Sequence, residues 1–109
     1  GGKVVGAPLK GAIMIIDDVI SSGLSISGSV SMIRESGAQP QAALVALDRQ
    51  ERGEQSRQSA IEETRTRHGL EVRAIVTLAD VLDYLERHPT LRTHTKPIRG
   101  YLDRYGASA

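Results

Sequence analysis

A short segment early in the chain combines two acids with small and hydroxyl-bearing residues. Asp17 and Asp18 are followed, after Val19 and Ile20, by the run Ser21-Ser22-Gly23-Leu24-Ser25. Small residues let successive backbone N–H groups converge, and a helix that begins after them adds the positive end of its dipole. The serine hydroxyls are further hydrogen-bond donors. This combination predicts a site for a phosphate group.

The adjacent carboxylates suit the sugar of such a ligand better than its phosphate. Carboxylates accept hydrogen bonds from the vicinal hydroxyls of a ribose, whereas an acidic pair facing a phosphate is electrostatically unfavourable. The segment therefore favours a sugar phosphate. Because side chains alternate along a strand, Asp17 and Asp18 need not both reach the ligand.

The same residues also fit a purely structural role. Ser- and Gly-rich turns between a strand and a helix are common, so the acids could simply end a strand while the serines cap a helix. The loop lacks the Gly-Lys-Ser/Thr of a Walker motif and the G-x-G-x-x-G pattern of dinucleotide sites. Composition alone leaves both interpretations open.

The elements that must position this segment follow a regular alternation. Continuous apolar runs at 12–16 and 42–47 predict strands buried in a parallel sheet, and residues 72–76 are predicted to form a third strand. The intervening patterns predict helices from about Ile26 to Gly37, Ser56 to His68, Thr77 to Pro89 and Pro97 to Tyr105. Thr77, with Asp80 three residues later, resembles an N-cap. This order predicts an α/β fold, a parallel sheet with helices on both faces.

Length and composition narrow the class of protein. The 109 residues allow one domain at most, with an aliphatic core, since there is no Phe or Trp. A net charge of +1 and only three Tyr do not indicate a nucleic-acid-binding surface. No apolar run is long enough to span a membrane. The absence of Cys fits a cytoplasmic protein, and the first residues carry no apolar region of a signal peptide. His68, His88 and His94 lack metal-ligand spacing and are predicted to lie at the surface.

Two separated motifs resemble one enzyme family. Residues 13–25, IMIIDDVISSGLS, resemble the phosphoribosyl diphosphate motif of type I phosphoribosyltransferases. Residues 47–53, LDRQERG, are similar to a segment of bacterial orotate phosphoribosyltransferases, and residues 1–9 and 75–78 also fit that family. The chain is identified as resembling the carboxyl-terminal half of such an enzyme, with a partial, Rossmann-like core.

The resemblance implies a reaction and a site. The 5-phosphoribosyl group would pass from phosphoribosyl diphosphate to orotate, giving orotidine 5-phosphate and diphosphate in pyrimidine biosynthesis. Ser21 and Arg49 would contact orotate, whose planar carboxylate suits a guanidinium. Mg²⁺ would be bound through the substrate, with no direct protein ligand. The donor would be bound by Asp17, Asp18, Val19, Ile20, Ser21, Ser22, Gly23, Leu24 and Ser25.

The resemblance also implies a larger assembly. Residues 1–109 would be the carboxyl-terminal part of a single domain, and residues 1–10 the end of a flexible catalytic loop region. The lysines of that loop would lie upstream, in an amino-terminal half present as a separate chain or lost. We expect a homodimer, because the family's flexible loop reaches the neighbouring active site.

Departures from the family pattern keep alternatives open. Leu24 stands where the family usually has Thr, so one hydroxyl donor to the phosphate is missing, a loss on the order of 1 kcal/mol. Without the resemblance, Arg49 would be interpreted as a surface ion pair with Asp48 or Glu51. The whole chain could also be a non-catalytic regulator that binds the donor, a phosphoribosyltransferase for another base, or a flavodoxin-like interaction domain with no ligand.

Overall fold

Three parallel strands form the centre of the described part of the chain. The structure, a computed structural model, describes residues 4–20, 24–53 and 58–107. The strands β1 (Ala12–Ile20), β2 (Gln39–Asp48) and β3 (Glu71–Thr77) lie side by side in that order, and both pairs are parallel. The helices are α1 (Leu24–Glu35), α2 (Ala60–His68), α3 (Leu78–Arg87) and α4 (Thr95–Tyr105), with a 3₁₀ helix at Pro89–His94. The predicted α/β class and parallel sheet are confirmed.

Local signals account for the ends of the helices. Gly37 and Gly69 follow α1 and α2 with φ angles of +84° and +64°, the left-handed conformation that glycine adopts at little cost. The Ser59 hydroxyl caps the start of α2, and Thr77 and Asp80 form a reciprocal capping box at the start of α3. The predicted ends at Gly37 and Gly69 and the predicted N-cap at Thr77 are confirmed. The predicted start of α2 at Ser56 lies outside the described residues.

The core lies between the sheet and the helices α1 and α2. Ile15, Val45 and Val72, one from each strand, are buried in one cluster with Ile26 and Val30 of α1. Each aliphatic side chain buried in this way stabilises the fold by about 1.5–3 kcal/mol relative to an exposed one. One face of the sheet is therefore covered, and α1 is anchored directly beside the end of β1.

The opposite face of the sheet carries exposed apolar side chains. Met14 and Ile16 flank buried Ile15 on β1 and are 59% and 74% exposed, and Ile75 on β3 is 68% exposed. Strands of a parallel sheet are normally buried on both faces. The described residues thus cover one face of the sheet and leave these three side chains of the other face open.

The carboxyl-terminal elements pack on one another after β3. α3 and α4 both contact the 3₁₀ helix between them, and an ion pair joins Glu86 of α3 to Arg99 of α4. The 3₁₀ helix was not predicted from the sequence, although Pro89 ends α3 as expected and begins the new turn. α4 begins at Thr95, before the predicted start at Pro97, and ends at Tyr105 as predicted.

The three histidines differ in their surroundings. His88 and His94 are exposed, as predicted. His68 is instead half-buried between α1 and α2, with Nε2 lying 2.8 Å from the Ser27 hydroxyl oxygen. Burial, followed by the positive charges of Arg34 and Arg67, lowers the pKa of His68. This side chain links two helices of the core.

Candidate functional site

The three strands end side by side at one edge of the sheet. In the strand register Ile20 lies opposite Asp48, and Asp48 lies opposite Thr77. The segment that leads to α1, the loop that carries Arg49 and the start of α3 therefore leave the sheet next to one another. Ligands of open α/β sheets bind beyond this carboxyl edge. The structure thus brings the two motifs found in the sequence to the same edge.

Asp17 connects the end of β1 to the first turn of α1. Its Oδ1 accepts a hydrogen bond from the backbone N–H of Asp18 at 2.9 Å, and its Oδ2 accepts one from the Ser25 hydroxyl at 2.9 Å. These two bonds, the backbone one first, hold the pKa of Asp17 below its ordinary value. The carboxylate is therefore kept charged and oriented toward the helix-covered side of the sheet.

Asp18 lies on the other face of β1. Side chains alternate along a strand, so Asp18 shares the face of exposed Met14 and Ile16, whereas Asp17 shares that of buried Ile15. The Asp18 Oδ1 atom accepts a hydrogen bond from the backbone N–H of Val19 at 2.6 Å. The two adjacent carboxylates thus point to opposite sides of the strand. A single ligand contacts both only if it crosses the strand end.

The predicted phosphate loop is described only in part. Ser21, Ser22 and Gly23 lie outside the described residues, and so does the side chain of Leu24. On either side, Ile20 is buried at the end of β1, and the helix α1 begins at Leu24. The loop therefore leads directly into a helix N-terminus, but its contacts with a phosphate stay a prediction.

Arg49 lies directly after β2 and forms an ion pair with Glu51. The Arg49 Nε atom is 2.9 Å from Glu51 Oε1, with 40% of the Arg49 side chain and 16% of the Glu51 side chain exposed. Nε is buried and makes no hydrogen bond with the described part of the chain, so its attraction to Glu51 is electrostatic. The ion pair considered from the sequence is present, and part of the arginine side chain remains accessible.

The loop at residues 49–53, here called the Arg49 loop, is held by the start of α3. Gln50 adopts a φ of +57°, and its N–H donates to Asp48 Oδ1 at 2.8 Å. Its side-chain Oε1 accepts a hydrogen bond from the backbone N–H of Ala79 at 2.8 Å. A positive φ is uncommon outside glycine and is often found at functional sites. The conformation beside Arg49 is thus fixed by contacts with two different elements.

The end of α4 holds the same loop from another side. The backbone N–H of Arg52 donates to the carbonyl oxygen of Tyr105 at 2.9 Å, and that of Ala107 donates to Gln50 O at 2.8 Å. The Tyr101 hydroxyl donates to Glu51 Oε1 at 2.5 Å. The sequence pattern at residues 97–105 predicts a helix but not this contact, because nothing local to α4 reveals a partner fifty residues away.

Neither a metal-binding cluster nor a membrane-spanning helix is found in the described part of the chain. No group of three or more His, Asp or Glu side chains in this part of the chain is arranged to hold a metal ion. Among the helices of residues 4–20, 24–53 and 58–107, none has the length and apolar character to cross a membrane.

Comparison with known sequences finds orotate phosphoribosyltransferases that are similar to this chain, whereas no protein-family model matches it. The orotate phosphoribosyltransferase of Chromobacterium violaceum is 52% identical over 106 residues, which are 97% of this chain and 49% of that protein. The orotate phosphoribosyltransferase of Marinobacter nauticus is 46% identical over 97% of this chain and 50% of its own length. The chain spans about half the length of these curated relatives, namely their carboxyl-terminal half.

Solved structures share the fold. A crystal structure of orotate phosphoribosyltransferase from Francisella tularensis superposes with a TM-score of 0.72 at 23% identity, over 88% of this chain and 47% of that one. The orotate phosphoribosyltransferase structure from Aeropyrum pernix gives a TM-score of 0.59 at 31% identity, over 71% of this chain and 42% of that one. The expected type I phosphoribosyltransferase-like fold is confirmed.

Proposed function

Because this chain is similar over 97% of its length to the carboxyl-terminal half of orotate phosphoribosyltransferases, we propose that it supplies that half of such an enzyme. The full-length protein would transfer the 5-phosphoribosyl group of phosphoribosyl diphosphate to orotate, releasing diphosphate and forming orotidine 5-phosphate. One observation carries the proposal: the end of β1, with its two acids, lies beside the end of β2, which is followed by Arg49. A donor and an acceptor bound at this edge would be neighbours.

The donor is assigned to the edge formed by β1 and α1. Asp17 and Asp18 accept hydrogen bonds from the ribose hydroxyls, and the segment from Val19 to Ser25 wraps the 5-phosphate. The charged state of Asp17 supports this role, because an ionised carboxylate is a pure acceptor. The helix N-terminus that follows the loop supports the phosphate position. The bond between Asp17 and Ser25 ties the sugar side of this site to its phosphate side.

The acceptor orotate is assigned to Ser21 and Arg49. Orotate carries a planar carboxylate, for which a guanidinium is the best-matched side chain. The partial exposure of Arg49 at the edge where the ligands meet supports this assignment. In this arrangement the protein acts by positioning the two substrates and by stabilising the charge that develops between them.

Mg²⁺ is proposed as the cofactor. This ion binds oxygen ligands and usually keeps several waters, with one or two carboxylates and the phosphates of a substrate. Asp17 and Asp18 supply oxygens of the right kind but lie on opposite faces of β1, so they fit an ion held mainly through the substrate. When bound, the ion would neutralise charge on the diphosphate.

The remaining parts of the proposal concern the assembly. Residues 1–109 would belong to a single domain whose catalytic lysines lie in the amino-terminal half, and residues 1–10 would form the end of the catalytic loop region. The assembly would be a homodimer located in the cytoplasm. The motif resemblance supports the dimer, and the absence of cysteine agrees with a reducing compartment.

The test is an orotate-consumption assay of the full-length protein with phosphoribosyl diphosphate and Mg²⁺. Replacing Arg49 with Ala should reduce kcat/KM for orotate by roughly 30-fold or more, because truncating a charged binding partner typically costs 2–5 kcal/mol. Arg87→Ala is the matched control, since Arg87 forms an exposed ion pair with Asp83 on α3.

The possible results separate the alternatives. Orotate turnover that Arg49→Ala removes and Arg87→Ala preserves would support the proposal. Turnover of a purine or another pyrimidine instead of orotate would reassign the base. Binding of phosphoribosyl diphosphate without any turnover by the full-length protein would indicate a regulator and overturn the proposed reaction.

A further inference from the structure

One carboxylate oxygen of Glu51 contacts both Arg49 and Tyr101. Neither Glu51 nor Tyr101 has been given a role in substrate binding so far. Glu51 Oε1 lies 2.9 Å from Arg49 Nε and also accepts the Tyr101 hydroxyl hydrogen bond at 2.5 Å. Arg49 and Glu51 belong to the Arg49 loop, whereas Tyr101 lies in α4. A continuous chain of contacts therefore runs from α4 through a carboxylate to the guanidinium.

From this geometry we infer that Glu51 and Tyr101 are positioning residues for Arg49, and that α4 thereby contributes to the affinity of the site for orotate. The inference rests on the proposed function, because it assumes that the Arg49 guanidinium binds orotate. Neither Glu51 nor Tyr101 is assigned a contact with either substrate.

The surroundings of Glu51 suit a positioning role. Only 16% of its side chain is exposed, so the carboxylate has little conformational freedom. Water also competes less with Arg49 and Tyr101 for its oxygens. Short hydrogen bonds from a hydroxyl to a charged oxygen are stronger than neutral ones. The hydrogen bond to Glu51 also raises the pKa of Tyr101 above its ordinary value.

The hydroxyl of Tyr101 is not what holds the backbone of the loop. Main-chain bonds do that: Arg52 N–H to Tyr105 O, Ala107 N–H to Gln50 O, and Ala60 N–H to Glu51 O. Removing the hydroxyl would leave these bonds in place. The Glu51 carboxylate would then become more mobile. The Arg49 guanidinium, which is attracted to that carboxylate, would become more mobile as a result.

The geometry also predicts which kinetic constant changes. Glu51 acts at Nε, so the other end of the guanidinium is not required for this ion pair and can face a planar carboxylate. Fixing a side chain before the ligand arrives reduces the ordering cost of binding. Loss of positioning should therefore weaken orotate binding while leaving the donor site on β1 and α1 unchanged.

The experiment compares Tyr101→Phe with Tyr105→Phe in the full-length protein. Both residues lie on α4 with their rings 4.9 Å apart, and the Tyr101 hydroxyl is the one that donates to the Glu51 carboxylate. Tyr101→Phe should raise the KM for orotate about three- to tenfold, as expected for one lost hydrogen bond, with the KM for phosphoribosyl diphosphate unchanged. Tyr105→Phe should leave both constants at wild-type values.

A second variant helps to separate an effect on Arg49 from a general loss of folded protein. Glu51→Gln keeps the shape of the side chain and removes its charge, so it should also raise the KM for orotate. The double variant should add little to the effect of Glu51→Gln alone, because both changes act on one chain of contacts. Thermal unfolding of each variant checks that the protein remains folded.

The outcomes are distinct. Equal KM values for orotate in Tyr101→Phe and Tyr105→Phe, in an enzyme that turns over orotate, would overturn the inference and leave the proposed function standing. A parallel rise in both substrate KM values would also overturn it, since that pattern indicates general loosening. A wild-type protein without orotate turnover would refute the proposed function, and the inference would fall with it.

Discussion

At the scale of single residues, the two donors to Asp17 have separable effects. The Asp18 backbone N–H is the larger cause of the lowered pKa and the Ser25 hydroxyl the second. A hydrogen bond to a carboxylate favours its charged form, so each donor keeps Asp17 ionised to lower pH. The state of the proposed ribose-binding group is therefore set in part by the first turn of α1.

Replacing Ser25 with Ala should raise the pKa of Asp17 toward its ordinary value without reaching it, because the backbone donor remains. A group with a lowered pKa contributes stability above its unfolded-state pKa, and loses it as pH falls through the folded-state pKa. In the variant this contribution should be smaller, and it should be fully lost at a higher pH. Titration of the Asp17 carboxyl carbon by NMR measures the shift. Ser31→Ala, an exposed change on α1, should have no effect, and identical titrations of all three proteins would contradict the prediction.

Sequence alone could predict some of these residues and not others. The two acids and Arg49 were identifiable because each belongs to a run of neighbouring residues with a recognisable pattern. The division of Asp17 and Asp18 between two faces follows from strand alternation. The contact of Tyr101 with Glu51 was missed because it joins residues fifty positions apart, and an aromatic residue on the apolar side of a helix gives no sign of such a partner.

At the scale of elements, prediction succeeded where a local signal existed. The capping box at Thr77 and the glycine after α2 have local physical causes, and the structure shows both. The strand β2 extends from Gln39 to Asp48, beyond the apolar run at 42–47, because backbone pairing with β1 continues at both ends of that run. The 3₁₀ helix at Pro89–His94 has no apolar period of its own and depends on packing against α3 and α4.

The end of α4 provides a prediction about stability. A methyl group added at Gly106 would overlap the carbonyl oxygen of Leu102, to which the Gly106 N–H donates at 2.7 Å. Because this obstacle is backbone, relieving it must disturb the last turn of α4, next to the bridge between Gly106 and Glu51. Gly106→Ala should lower the free energy of unfolding by about 1–3 kcal/mol.

Gly100 is the matched control within the same helix. A methyl group there meets no atom within 4 Å among the described residues. Gly100→Ala should therefore raise the free energy of unfolding by roughly 0.5–1 kcal/mol, because alanine loses less backbone entropy in a helix interior. Urea denaturation of the full-length protein measures both changes. A Gly106→Ala protein as stable as Gly100→Ala would show that the end of α4 is not tightly constrained.

At the scale of the whole molecule, the uncovered apolar face of the sheet can be related to the greater length of the similar proteins. The run at residues 12–16 is apolar on both sides, which predicts a strand buried on both faces. In the described residues, Met14 and Ile16 are instead exposed. The curated relatives are about twice the length of this chain. We therefore expect the proposed amino-terminal half to cover this face in the full-length protein.

Oxidation of methionine tests this assignment directly, because the chain has only two methionines. Met14 lies on the uncovered face, whereas Met32 lies half-buried on α1. In the full-length protein, peroxide should oxidise Met14 much more slowly than in the same protein unfolded by urea, since a covered thioether is inaccessible. Mass spectrometry of the peptides gives both rates, with Met32 as the internal reference. Oxidation of Met14 at the unfolded rate would mean that this face of the sheet stays open, and that another part of the molecule receives the amino-terminal half.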